Sequence, residues 1–278
     1  MPSSVMQKGY LARRAECDDG ERMSTPRSRV ALVTGAGRRI GRAIALDLAA
    51  DGWSVGVHYN RSAEPAEAVV AEITGRGGRA VALQADLMSD AACDALVAHA
   101  AESLGPLGCL VNNASVFEND RIDTITRQSW DRHMQVNLRA PLVLSQAFAR
   151  QLPDDDHGVI VNLLDQRVWN MTPYFMSYTV SKVGLWTLTR TLAMALAPRI
   201  RVNAIGPGPT LPSERQSEEH FVRQWSGTPL GRPVALDDIC RAVRFILDSP
   251  SLTGQMMAFD GGQHLGWSPR AAEQAVHE

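Results

Sequence analysis

Tyr178 and Lys182 stand four residues apart in a stretch with helical periodicity, so the two side chains share one face of the predicted helix. A phenol of ordinary pKa, ~10, is a poor acid–base group at neutral pH. A lysine ammonium beside it favours the phenolate and brings the proton into a working range. The pair therefore offers proton transfer at a substrate heteroatom. Taken alone, a Tyr-x-x-x-Lys spacing is common, and two surface residues on a helix would produce it.

A second group of residues suits a phosphate. Thr34-Gly35-Ala36-Gly37-Arg38-Arg39-Ile40-Gly41 joins a short apolar run to the first predicted helix. Glycine lets backbone approach a pyrophosphate closely, and a helix N-terminus adds N–H donors and a positive dipole end. The turn follows the first strand of a strand–helix–strand pattern, where dinucleotide binding needs it. An acid ~20 residues on would hold a ribose 2′-hydroxyl. The second strand ends instead in His58-Tyr59-Asn60-Arg61-Ser62, without a carboxylate. Arg38, Arg61 and Ser62 suit a 2′-phosphate, so the expected cofactor is NADP(H) rather than NAD.

These residues need elements to hold them. Strands are predicted at Val30–Val33, Ser54–Tyr59, Ala80–Gln84, Cys109–Val111, Val159–Leu163, Arg201–Ile205 and Met256–Phe259. Helices are predicted at Ile40–Ala50, Ala63–Thr74, Ser89 to about Ser103, Arg127–Arg150, Ser177–Ala197 and Asp237–Leu247. The alternation predicts an α/β fold, a Rossmann-type doubly wound parallel sheet in a single domain. Ligands of such sheets bind beyond the carboxyl ends of the strands. The segments after Val33, Tyr59, Ala85, Val111, Leu163 and Ile205 should thus rim one crevice. Leu211 to Pro229 reads as a loop over the substrate, offering Glu218, Phe221, Arg223 and Trp225.

Read in order, the motifs are more specific than any one of them. The turn at Gly35, Asp86, Asn112-Asn113-Ala114, Asn137, Tyr178 with Lys182, Gly206-Pro207-Gly208 and Asp260-Gly261-Gly262 resemble the short-chain dehydrogenase/reductase family from Val30 to about Leu265. The resemblance implies an NADP-dependent oxidoreductase with Asp165, Tyr178, Lys182 and Asn137 as catalytic residues. Asn137 would kink its helix and anchor a relay water, and Lys182 would hold the nicotinamide ribose. Cofactor contacts would come from Gly35, Arg38, Arg39, Ile40 and Gly41, from His58 through Ser62, and from Asp86 and Leu87. Asn113, Ala114, Ser115, Tyr178, Lys182, Pro207, Gly208 and Thr210 would complete them.

Two departures narrow the resemblance. Arg39 stands where most members have glycine, and Asp165 stands thirteen residues before the tyrosine, where most have serine. With Ser115 and Phe117 after Asn-Asn-Ala, the pattern is similar to the pteridine and dihydromonapterin reductases. That implies a pterin substrate held by Arg39, Ser115, Phe117, Asp165 and Tyr178. Phe117 would stack on the flat ring. Arg39 would reach ring heteroatoms and cofactor phosphate together. Asp165 would add a second titratable group for protonating a ring nitrogen. A generic carbonyl or 3-oxoacyl-thioester reductase and a non-catalytic nucleotide-binding protein remain as alternatives.

Composition excludes other classes. The 278 residues suit one large domain, and 45% of them are apolar. A formal net charge of −2 provides no basic field for nucleic acid, and no apolar run is long enough for a membrane span. Cys17, Cys93, Cys109 and Cys240 are scattered, which argues against a metal site or a disulfide framework and fits the reducing cytoplasm. Residues 1–28 read as a disordered tail, 29–270 as the catalytic domain and 271–278 as a C-terminal tail. Members of the family are usually homotetramers built on the two long helices and the last strand. The apolar Leu185-Trp186 and Leu192–Leu196 are compatible with such burial.

Overall fold

The computed structural model describes residues 26–213 and 216–266. Cys17, the expected tail through residue 25 and the expected C-terminal tail lie outside the described residues. Residues 26–28, also assigned to the tail, are bonded to the domain. The Arg27 N–H donates to Asp156 Oδ1 at 3.0 Å, and the Ser28 hydroxyl donates to the Pro106 carbonyl.

Seven parallel strands form one sheet in the order β3-β2-β1-β4-β5-β6-β7. They are β1 Val30–Val33, β2 Ser54–Tyr59, β3 Ala80–Gln84, β4 Cys109–Asn112, β5 Gly158–Leu163, β6 Ile200–Pro207 and β7 Met256–Phe259. The helices are α1 Arg39–Ala50, α2 Ala63–Gly75, α3 Asp90–Leu104, α4 Arg127–Met134, α5 Ala140–Gln151, α6 Met176–Leu196, α7 Glu218–Ser226 and α8 Leu236–Asp248. Parallel neighbours need crossovers, and these place helices on both faces. Alternate residues of each strand then enter opposite cores. Ala31, Val33, Val55, Val57, Val111 and Val161 pack with α1, α2 and α8. Leu32, Leu83, Leu110, Ile160 and Val202 pack with α3, α5 and α6. This explains the unbroken apolar runs: both faces of β1, β4 and β5 are buried.

Two expectations are corrected. The helix predicted over Arg127–Arg150 is interrupted at Gln135–Arg139 by a wider, π-type turn. Pro141 has no N–H to give to the carbonyl of Asn137, so the ordinary i→i−4 ladder cannot run through this point. The segment Leu211 to Pro229 is not all loop. It carries the amphipathic α7, capped where the Ser217 hydroxyl accepts from the His220 N–H at 3.2 Å.

Cys93, Cys109 and Cys240 are buried, and burial pushes each thiol up to about 12. Among the described residues no cluster of His, Cys, Asp and Glu could hold a metal ion. No described helix is long and apolar enough to cross a membrane.

Candidate active site

The strand ends open into a cavity of about 1160 Å³. Every catalytic, cofactor and pterin residue expected from the sequence lines it except Asn137. The topology explains the gathering, because parallel strands place all their following loops on one edge.

At one end lies the glycine turn. Gly35 adopts φ +64, and the Asn113 side chain clasps the turn by donating to the carbonyls of Thr34 and Gly35 at 2.8 and 3.2 Å. Thr34, which the sequence reading passed over, accepts at its hydroxyl from the N–H groups of Asn113 and Ala114. A Cβ at Gly41 would sit 2.3 Å from the Gly35 carbonyl oxygen and 2.5 Å from Asn113 Nδ2. Gly41→Ala should therefore cost about 1–3 kcal/mol of overpacking. For a chain of this size that lowers Tm by roughly 2–12 °C, readable by thermal unfolding.

His58 supports this turn rather than facing it as a donor to a ligand. Its Nδ1 accepts from the Gly35 N–H at 3.0 Å, while Nε2 faces the Ala85 carbonyl at 3.1 Å. That pairing fixes the neutral Nε2–H form. Burial lowers its pKa from 6.5 to about 4. The folded value lies below the unfolded one, so the stabilisation is present above pH 6.5 and is lost as pH falls toward 4. The linked loss is about 3 kcal/mol. Urea denaturation at neutral and acid pH should show it, and His58→Asn should flatten the dependence.

Arg39 also takes a structural role. It sits at φ +55, a left-handed conformation that costs a side chain ~1–2 kcal/mol and that glycine would take freely. Its guanidinium donates to the carbonyls of Pro212 and Leu211 at 2.7 and 3.2 Å. It therefore ties the phosphate turn to the segment entering α7 while lining the cavity, and these two bonds leave three of its five N–H donors for a ligand. From α7 itself, His220 and Gln224 face the cavity; the sequence-nominated Glu218, Phe221, Arg223 and Trp225 do not.

At the other end, Tyr178 and Lys182 project from α6 toward the end of β5. The Tyr178 hydroxyl donates to Asp165 Oδ2 at 2.8 Å, and the Arg167 N–H donates to Asp165 Oδ1 at 2.8 Å. Lys182 Nζ donates to the Leu163 carbonyl at 2.7 Å and lies 5.8 Å from the Tyr178 ring centre. Burial lowers the Lys182 pKa to about 8. Burial also raises the Asp165 carboxyl above its ordinary value. The expected drift of Tyr178 toward phenolate is corrected here. Burial and the adjoining Asp165 push its pKa well above 10, because a negative group now stands where a serine is usual. Tyr178 is thus held as a proton donor.

Asn137, in the π-type turn, is fully buried. Its Oδ1 accepts from the Val116 N–H at 2.8 Å and the Ser115 hydroxyl at 3.2 Å. Its Nδ2 donates to the Val116 carbonyl at 2.9 Å and to Ser181 Oγ at 3.1 Å. These four bonds exhaust the amide, leaving no side-chain capacity for a water.

The aromatic wall was half anticipated. Phe117 lies on Tyr178 edge-on at 4.7 Å and stacks parallel on Phe175 at 4.4 Å. Phe175 takes a left-handed conformation at φ 56 just before α6, so no side chain there caps the helix. Asp120 caps it from another segment. It accepts from the Ser177 N–H at 3.0 Å and from the Ser177 hydroxyl, which in turn meets His133 Nδ1 at 2.7 Å. Burial opposes the charge on Asp120, but the bonds from Ser177 and Ser129 hold its carboxyl below the ordinary value. A carboxylate at a helix N-terminus is favourable, and here it anchors the turn that carries Tyr178.

A family model described as short chain dehydrogenase matches residues 29–221. The chain belongs to the short-chain dehydrogenase family. Its solved relatives include FolM alternative dihydrofolate reductase 1 from Brucella canis, complexed with NADP. That structure superimposes with a TM-score of 0.85 at 50% identity, covering 89% of this chain and 97% of the other. Curated relatives of this dehydrogenase include an uncharacterized oxidoreductase of Methylorubrum extorquens, 36% identical over 86% of this chain and 99% of that one. A 3-oxoacyl-[acyl-carrier-protein] reductase of Synechocystis is 32% identical, covering 86% of this chain and 98% of its own length. As a member of this family, the protein is an oxidoreductase.

Proposed function

We propose that this dehydrogenase uses NADPH to reduce a pterin or dihydropterin. The observation that carries the reading is the Asp165–Tyr178 hydrogen bond beside the partly exposed ring of Phe117. A flat heteroaromatic ring fits against Phe117, and its ring nitrogen needs a proton as hydride reaches the neighbouring carbon.

The site fits NADP(H). The turn through Gly35 and Gly41 leads into the N-terminus of α1, and Arg38, Arg61 and Ser62 line the same end of the cavity with no acid after β2. The B. canis relative, crystallised with NADP, supports the choice. Asp86 and Leu87 would flank the adenine, Asn113 and Ala114 the adjoining ribose, and Pro207, Gly208 and Thr210 the nicotinamide. Lys182 would give its ammonium to the nicotinamide ribose. When bound, the dinucleotide supplies the hydride. Tyr178 gives its proton to the substrate ring nitrogen, and Asp165, its carboxyl raised by burial, would then take up a proton from solvent in the cavity and pass it to the resulting phenolate.

Resemblance to the Synechocystis enzyme supports the competing reading, a 3-oxoacyl-thioester or ketone reductase. Steady-state NADPH oxidation with dihydropterins, 3-oxoacyl thioesters and simple ketones separates the two. We expect turnover with pterins and a wide preference for NADPH over NADH. Turnover of thioesters alone would discard the pterin reading, and equal use of the two cofactors would discard the assigned 2′-phosphate site.

A homotetramer is consistent with part of α6. Leu185 and Leu192 pack into the protomer's own cores, but Val180 and Met194 stay exposed, as does Phe245 on α8.

A further inference from the structure

Beyond Phe117 the cavity wall continues into a cation that the proton-transfer chemistry does not use. Arg167 lines the cavity, its guanidinium 4.9 Å above the Phe175 ring, which itself lies on Phe117. Nη1 donates to the Thr172 hydroxyl at 2.9 Å, fixing the side chain in place. Among the described residues Arg167 has no carboxylate within ion-pair distance of its guanidinium. Its own backbone N–H, not the guanidinium, holds Asp165. The other cations near the substrate end are engaged: Arg132 is paired with Glu118 at 2.7 Å, Arg39 donates to two carbonyls and Lys182 to one.

Asp165 acts on this guanidinium only at longer range than an ion pair, so its remaining donors are open to an anionic ligand. The cofactor phosphates are the wrong source. Their residues follow β1 and β2, whereas Arg167 follows β5, two strand spacings (~10 Å) from β1 and three (~14 Å) from β2 across the sheet. An anion taken up by Arg167 would thus lie on the substrate side of the cavity.

We propose that Arg167 is a specificity residue selecting pterins whose side chain ends in an acidic group. The inference rests on the pterin reading above. The ring lies against Phe117, the side chain runs along the Phe117–Phe175 wall, and its carboxylate takes the open donors of Arg167. The planar fork suits a carboxylate bidentately, and stacking on Phe175 keeps it oriented.

The test compares dihydrofolate, whose side chain carries carboxylates, with a dihydropterin bearing an uncharged hydroxylated side chain. The quantity read is the ratio of their kcat/KM values. In the wild type dihydrofolate should be preferred, and its advantage should shrink at high salt. Arg167→Gln should collapse the ratio by at least tenfold, through KM for dihydrofolate rather than kcat. Arg167→Lys, which keeps the charge but not the fork, should recover part of it. A ratio within twofold of wild type in Arg167→Gln overturns the proposal, while the pterin reading stands. Equal losses on both substrates also overturn it, since they mark Arg167 as support for Phe175 alone. If the wild type reduces neither pterin, the pterin reading itself fails and takes the proposal with it.

Discussion

Tyr178→Phe should lower substrate turnover by ~10²–10⁴-fold while NADPH binding survives. The change removes one hydroxyl and keeps the ring, which packs edge-on against Phe117 and 6.1 Å from the His133 ring. Asp165 loses the donor at Oδ2 but keeps the Arg167 N–H at Oδ1. An unsatisfied buried acceptor costs ~1–3 kcal/mol, and here the carboxyl can take up a proton instead, because burial already raises its pKa. The fold should therefore persist. Cofactor titration by fluorescence and single-turnover hydride transfer measure the two halves separately. Near-normal hydride transfer would show that the substrate receives its proton from another group, and Asp165 would be the first to test.

Asp165→Ser should separate a pterin enzyme from a carbonyl reductase. It restores the residue usual in the family and removes the carboxylate that helps keep Tyr178 protonated. Proton delivery to a ring nitrogen loses its second titratable group, so pterin turnover should fall by ~100-fold or more. Any weak ketone reduction should hold or improve, because a serine can still donate to a carbonyl oxygen. Parallel kcat measurements on one dihydropterin and one ketone read the outcome. Parental activity on the dihydropterin would remove Asp165 from the mechanism, and with it the main support for a pterin substrate.

Several parts of this site were written locally. The first turn needs glycine where φ is positive, and the absent acid after β2 is visible as Asn60-Arg61-Ser62. The break in the long helix was expected at Asn137 from the resemblance alone, and its local cause, Pro141 four residues on, was also written in the sequence. Phe175, Arg167 and Asp120 were not. They act across segments that the sequence separates: Phe175 lies 58 residues from the ring it stacks on, and Asp120 lies 57 from the serine it caps. No local periodicity encodes such meetings.

By itself the sequence determined the strand–helix alternation, the single parallel sheet and the set of loops that share its carboxyl edge. Those follow from apolar period, glycine and proline, and each is decided within a dozen or so neighbouring residues. The protonation of the site was decided only by the tertiary structure. Tyr178 with Lys182 reads as an activated phenol, yet packing sets the phenol on Asp165 and turns the ammonium to the Leu163 carbonyl. Charge–charge effects depend on distance and burial, and both are properties of the folded crevice rather than of spacing along the chain.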